Sequence, residues 1–102
     1  MEITITYNPQ TVITVKGRLD TIHAPIFEKE ILPILEGEMK EVVIDCSELN
    51  YISSSGLRLF RTLQKGAIAK KGNLILQGMK HEIKEIFDMT GFTSMFSFTE
   101  VT

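Results

Sequence analysis

The sequence predicts an α/β fold, with a single mixed sheet of four or five strands and about three or four helices packed against it. Apolar and polar residues alternate over residues 2–7 and 11–16, which is typical of strands with one buried face. Residues 42–44 and 74–76 are short continuous apolar runs, as in strands covered on both faces. The segments between these runs carry apolar residues at helical spacing.

The first two strands predict an antiparallel hairpin. Ile3 and Ile5 share one face, and Ile13 and Val15 continue the same alternation. Asn8-Pro9-Gln10 lies between them and predicts a turn.

A first helix is predicted to begin near Ala24-Pro25, because proline is tolerated in the first turn of a helix. Gly37 supplies the stop. Pro33 lies inside the pattern and removes one backbone hydrogen bond, so we expect a kink or an early end there. The apolar face consists of Phe27, Ile31, Ile34 and Leu35.

Two further helices follow the apolar runs. The second begins after the serines at 53–55, and the third ends at Gly91; residues 95–98 predict a last short strand or an irregular edge segment. The apolar stripes are Leu57, Phe60, Leu63 and Ala67 in the second helix, and Ile83, Ile86 and Phe87 in the third. The order strand-strand-helix-strand-helix-strand-helix predicts parallel neighbours joined by helical crossovers.

Composition narrows the class of protein. The chain has 102 residues, 43% of them hydrophobic, which suits one domain over residues 1–102. No apolar run approaches the ~18 residues of a membrane span, and the start of the chain predicts a strand instead of a signal segment. Cys46, the single cysteine, follows an apolar strand and predicts a buried thiol. We expect a cytoplasmic protein without membrane insertion.

Charge and motif content argue against several functions. The net charge is −2, and the densest basic cluster, Lys65 with Lys70-Lys71, is better placed for a negative helix end than for nucleic acid. His23 and His81 are far apart without ligand spacing, so no metal site is predicted. A Gly-rich phosphate loop of the Walker type is also missing from the sequence, and we expect no cofactor.

The three serines at 53–55 stand where a buried strand and a polar loop give way to a helix. A hydroxyl there can cap the helix, and Ser55 is the predicted cap. Unpaired N–H groups and the positive end of the helix dipole also favour an anion at this place. A phosphate added to the loop need not disrupt the fold.

The order of these segments resembles the STAS domain, shared by bacterial anti-sigma factor antagonists and sulfate-transporter tails. Four segments carry the likeness: Gly-Arg-Leu-Asp at 17–20, Val-Ile-Asp at 43–45, Ser-Ser-Gly-Leu at 54–57 and Gly-Phe at 91–92. The resemblance covers nearly the whole chain.

What the resemblance implies is a protein-binding regulator, not an enzyme. In the antagonist branch, the unmodified domain binds an anti-sigma factor that is itself a serine kinase, which frees the sigma factor. The kinase can phosphorylate the serine before the Gly-Leu pair, and a phosphatase resets it. That serine maps onto Ser55, with Ser54 as the fallback, and the family's acidic residue near it maps onto Asp20.

The resemblance also places a partner surface around the serines. The residues expected to bind the partner are Asp20, Ser53, Ser54, Gly56 and Leu57. One position departs from the family pattern: many members have an aspartate where this chain has Ser53. The loop thereby loses a charge and gains a third consecutive hydroxyl.

Two other functions remain open. Lone STAS-like domains also resemble accessory subunits of lipid or anion transporters, which dock on an ATPase subunit through the same helix. A hydrolase triad can be written from Ser55, His23 and Asp20, but no Gly-Xaa-Ser-Xaa-Gly elbow supports it.

Overall fold

The predicted α/β class is confirmed by the computed structural model, which describes residues 1–7 and 9–100. Within these residues the strands are β1 (Glu2–Thr6), β2 (Thr11–Leu19), β3 (Glu41–Asp45), β4 (Leu49–Ile52), β5 (Asn73–Gln77) and β6 (Ser97–Thr99). The helices are α1 (Ala24–Glu36), α2 (Ser54–Ala69) and α3 (His81–Met89), and a short 3₁₀ helix spans Thr93–Met95.

The sheet is mixed, as predicted. Its order is β1-β2-β3-β5-β6, with β1 antiparallel to β2 and the remaining neighbours parallel. Ile3 pairs with Val15 and Ile5 with Ile13, which confirms the antiparallel pair. Asn8 of the predicted turn lies outside the described residues.

The strand β4 was not predicted, since the segment before the serines was interpreted as a polar loop. Its central residues Asn50 and Tyr51 are both exposed while Leu49 and Ile52 are buried, so it lacks the alternation of a half-buried strand. It pairs in parallel with residues 17–19 of β2, beyond the part of β2 that pairs with β3. The described sheet therefore has six strands.

One hydrophobic core joins the sheet to all three helices. Alternate residues of the central strands face the same side as the apolar stripes of α1, α2 and α3. Phe27, Phe60 and Phe87, one from each helix, are fully buried, with ring centroids 5.9 and 6.0 Å apart along the row. The predicted helix stripes are thus confirmed.

The helix α1 begins at Ala24 and is closed by Gly37, as predicted, and it continues through Pro33 without an early end. Lys70, at the C-terminal end of α2, stabilises the C-terminal end of α1. Its Nζ donates hydrogen bonds to the carbonyl oxygens of Leu35 and Gly37. In the part of the chain that the structure describes, no helix combines the length and the apolar character that crossing a membrane needs.

Gly72 is in very close contact with the backbone of the loop before β3, and this generates a prediction. A Cβ at Gly72 would lie 1.7 Å from the Met39 carbonyl oxygen, so Gly72→Ala must displace backbone. We expect a loss of at least roughly 1–3 kcal/mol in the free energy of unfolding, measured by urea denaturation.

Gly91→Ala is the matched control. Gly91 has φ +78° with open space around its Cα, so alanine there meets only the left-handed backbone cost of about 1 kcal/mol. Equal losses for the two variants would contradict the close packing at Gly72.

Candidate functional site

The candidate site lies where β2 and β4 end side by side. The two strands run parallel, so the residues that follow them, Asp20 and Ser53, lie at the same edge of the sheet. The Ser53 N–H donates to the Leu19 carbonyl oxygen at 2.9 Å, which continues the pairing by one residue. The start of α2 is thereby held against the end of β2.

Ser53 is the N-cap of α2. Its backbone is extended, its Oγ accepts from the Gly56 N–H at 3.2 Å, and its carbonyl accepts from the Leu57 N–H at 2.9 Å. The predicted cap at Ser55 is wrong, because the helix begins earlier, with Ser54 as its first residue. Serine and aspartate are both preferred N-cap residues, so a serine at position 53 is well suited to this role.

Ser54 and Ser55 lie in the first turn of α2, and their hydroxyl groups do not cap the helix. Ser54 is exposed, and Ser55 is half-buried. Ser55 lies on a surface groove of about 200 Å³ between the first turns of α1 and α2. The groove is lined by Thr21, Ala24, Pro25, Glu28, Ser55, Arg58 and Leu59.

Three predicted partner residues are buried. A Cβ on Gly56 would lie 2.8 Å from Leu19 Cγ and 2.9 Å from Ile52 Cγ1, so glycine there allows α2 to pack on the sheet. Leu57 is 4% exposed and Ser53 is 8% exposed. Ser53, Gly56 and Leu57 therefore support the loop and the start of α2 from the inside, and their contact with a partner stays a prediction.

Asp20 is half-buried at the end of β2. Its Oδ1 accepts from the His23 N–H at 3.0 Å and is 2.6 Å from His23 Nδ1, while Arg18 Nε lies 4.0 Å from Oδ2. The side-chain hydrogen bond with His23, and then its backbone hydrogen bond, hold the pKa of Asp20 below its usual value. Asp20 thus closes the turn that leads into α1 and remains ionised at neutral pH.

Arg18 and Tyr51 form a second contact at this edge that the sequence did not reveal. The two residues pair across β2 and β4, and the Arg18 guanidinium lies 4.4 Å from the centroid of the Tyr51 ring. Only the pairing of β4 with β2 brings them together, so a sequence interpretation without β4 has no signal for the contact.

The geometry does not support the hydrolase triad. His23 and Asp20 are hydrogen-bonded, but His23 lines a different depression, together with Met1, Ile3, Ile26 and Glu30. Among residues 1–7 and 9–100, no hydrogen bond joins Ser55 to His23. His23 is therefore not placed to act as the base for the Ser55 hydroxyl.

Two further kinds of candidate site are a group of metal-ligating side chains and the thiol of Cys46. The described residues include no group of three His, Cys, Asp or Glu side chains that could hold a metal ion. Cys46 is fully buried, as predicted, and burial, followed by the nearby Asp45 charge, raises the pKa of its thiol.

Comparisons with known proteins identify the family. The family model described as STAS domain matches residues 1–102. The chain belongs to the STAS domain family.

BtrV of Bordetella bronchiseptica is 32% identical over 81 residues, which cover 79% of this chain and 70% of BtrV. The anti-sigma-B factor antagonist of Staphylococcus epidermidis is 28% identical over 97% of this chain and 92% of its own.

Solved structures share the fold. The anti-sigma factor antagonist SpoIIAA in its unphosphorylated form has a TM-score of 0.83 at 18% identity, covering 99% of this chain and 89% of SpoIIAA. The phosphorylated form of SpoIIAA from Bacillus has a TM-score of 0.78, also at 18% identity, covering 99% and 92%.

The capping bond of Ser53 generates a stability prediction. Ser53→Ala should lower the free energy of unfolding by about 0.5–2 kcal/mol in urea denaturation, because the Gly56 N–H loses its acceptor. Ser53→Asp should retain most of the stability. Ser54→Ala and Ser55→Ala should change it by less than about 0.5 kcal/mol. A loss at Ser55 as large as at Ser53 would contradict the cap assignment.

The hydrogen bonds of Asp20 generate a pH prediction. His23→Ala removes the ring partner, so the pKa of Asp20, followed by carboxyl ¹³C NMR, should rise toward its usual value. A lowered carboxyl pKa stabilises the fold above the unfolded-state pKa of about 3.9. The advantage of the parent over His23→Ala should therefore disappear as pH falls through the lowered pKa.

His81→Ala is the matched control for this measurement, since His81 pairs with Glu85 on α3. It should leave the Asp20 titration unchanged. An Asp20 pKa that is unaffected by His23→Ala would show that the ring hydrogen bond is not its cause.

Proposed function

We propose that this chain is an anti-sigma factor antagonist that binds an anti-sigma factor serine kinase and is released when Ser55 is phosphorylated. A phosphatase restores the binding form. The observation that carries the proposal is the division of roles between the serines: Ser53 caps α2, which leaves the partly exposed Ser55 hydroxyl in the first turn available for modification. Ser54, exposed beside it, is the fallback acceptor.

The relatives support this function. The relative from Staphylococcus epidermidis is named an anti-sigma-B factor antagonist, and SpoIIAA is an anti-sigma factor antagonist with a phosphorylated form. These names favour the antagonist over the transporter subunit that the sequence left open.

The surface around Ser55 offers both polar and apolar contacts to a partner. Asp20 presents a carboxylate, and Ile22, two residues further along the chain, is 79% exposed. Tyr51, which contacts Arg18 at the same edge of the sheet, is also exposed. Apolar side chains that bind a protein partner are desolvated on docking, so Ile22 and Tyr51 extend the predicted partner surface beyond the residues that the sequence suggested.

The switch depends on the different cost of a phosphate in the free and the bound protein. Phosphorylation of Ser55 adds about 1.5–2 negative charges, which water and the start of α2 share when the protein is free. In the complex the phosphate loses its water, at the edge of the sheet that also carries the ionised Asp20. Removing a charge from water typically costs several kcal/mol, and each ~1.4 kcal/mol is tenfold in affinity. Loss of affinity by a factor of hundreds follows.

The proposal predicts opposite behaviour for two variants at Ser55. Ser55→Ala should bind the cognate kinase as tightly as the parent, and ATP should no longer release it. Ser55→Asp should bind at least tenfold more weakly, because it carries a permanent charge at the interface. Titration calorimetry with and without ATP measures both effects.

Ser54→Ala is the matched control and should still be phosphorylated and released. Mass spectrometry after incubation with the kinase and ATP locates the phosphate. Incorporation only at a threonine or tyrosine elsewhere would falsify the assignment, and incorporation only at Ser54 would move the switch to the fallback residue.

A further inference from the structure

We propose that Arg58 is the counter-charge that holds the phosphoryl group of phosphorylated Ser55 in the groove between the first turns of α1 and α2. This inference rests on the proposed function in taking Ser55 as the modified residue. It adds an intramolecular receptor for the phosphate, which neither the family pattern nor the relatives' names assign.

The groove brings the two residues together. Ser55 and Arg58 are three residues apart on α2, a spacing that puts side chains on neighbouring positions of one helix face, with Cβ atoms about 5–6 Å apart. Both side chains line the groove, and Arg58 is exposed. The guanidinium can therefore turn toward a phosphate without disturbing the core.

In the described part of the chain, the charge of Arg58 is not engaged by an ion pair, unlike the charges nearest to Asp20. Arg18 lies over the Tyr51 ring and 4.0 Å from Asp20, and the ring of His23 is hydrogen-bonded to Asp20. By contrast, the ion pairs formed within residues 1–7 and 9–100 do not include Arg58.

The chemistry of the groove matches a phosphate attached on its α2 side. Guanidinium donates two parallel N–H groups to phosphate oxygens, a stronger and more directional contact than a lysine ammonium makes. Glu28, exposed on α1, also lines the groove, and its negative charge repels a phosphate. The phosphoryl group is thus attracted by one residue of the groove and repelled by another.

The pairing changes the surface that a partner meets in two ways. A phosphate is added at Ser55, and the Arg58 guanidinium is no longer free to bind a partner. Both changes follow from one modification, so phosphorylation weakens partner binding by adding a phosphate and also by occupying the Arg58 guanidinium.

Phosphoserine encoded genetically at position 55 of the full chain tests the inference, with the phosphate pKa followed by ³¹P NMR. Its second pKa lies near 6 in the absence of neighbours. Arg58→Gln should raise this pKa by roughly 0.2–0.7 units, as for an exposed ion pair, and Glu28→Gln should lower it by a similar amount. Both shifts should shrink in ~1 M salt, where the screening length is about 3 Å.

Arg61→Gln is the matched control, because it removes the same charge from α2 at an exposed position outside the groove. It should leave the phosphate pKa unchanged, and Arg58→Lys should keep part of the effect. Unmodified Arg58→Gln and Glu28→Gln should unfold at the parent's urea midpoint, since both positions are exposed.

The inference is overturned if Arg58→Gln changes the phosphate pKa no more than Arg61→Gln does, or if Glu28→Gln raises it. A larger Arg58 effect with phosphoserine encoded at position 54 also overturns it. Because the phosphoserine is encoded, these outcomes do not depend on any kinase. Labelling of Ser55 by its kinase therefore tests the proposed function separately.

Discussion

The pairing of β4 with the far end of β2 is the constraint on which the candidate site depends. The nine residues of β2 are enough to pair with β3 along one part and with β4 along another, with a register shift between Gly17 and Arg18. The last bond of this pairing joins the Ser53 N–H to the Leu19 carbonyl. It fixes the point at which the chain turns into α2, and with it the position of every serine in the loop.

Each serine then has a separate physical role because of its position in the helix. Ser53 lies before the first turn, where an oxygen can accept from a free N–H, and it is 8% exposed. Ser54 and Ser55 follow in the first turn, the one exposed and the other half-buried, and the cap of α2 is made by Ser53 instead. Of the three consecutive serines, Ser53 thus stabilises the helix, while Ser54 and Ser55 keep hydroxyl groups that solvent can reach.

Much of the fold could be predicted from the sequence, because it depends on patterns that span several residues. The apolar stripe of α2, the stop of α1 at Gly37 and the antiparallel pair of β1 and β2 all follow from periodicity and turn residues. The strand β4 could not be predicted this way, since four residues with only their ends buried give no period. The cap was misassigned because adjacent serines are equivalent until the first helical residue is known.

The site was harder to predict than the fold because its contacts join distant parts of the chain. The groove that contains Ser55 combines Thr21 and the start of α1 with the start of α2, and the contact of Arg18 with Tyr51 needs the pairing of β2 with β4. The resemblance supplied the position of the serine, but not which neighbours surround it. The supporting role of Gly56 and Leu57 also follows from the structure alone, because both are buried between α2 and the sheet.

The serine at the N-cap also changes the electrostatics of a phosphorylated loop. An aspartate cap would place a fixed negative charge at the start of α2, two residues before Ser55, where it would compete with a phosphate for the positive end of the helix. Ser53 makes the same capping bond without that charge. Asp20 remains nearby, but its carboxylate is already engaged by His23. Under the proposed function, the free protein could therefore accommodate a phosphate at Ser55 with less repulsion, and the cost of the modification would fall mainly on the complex with the partner.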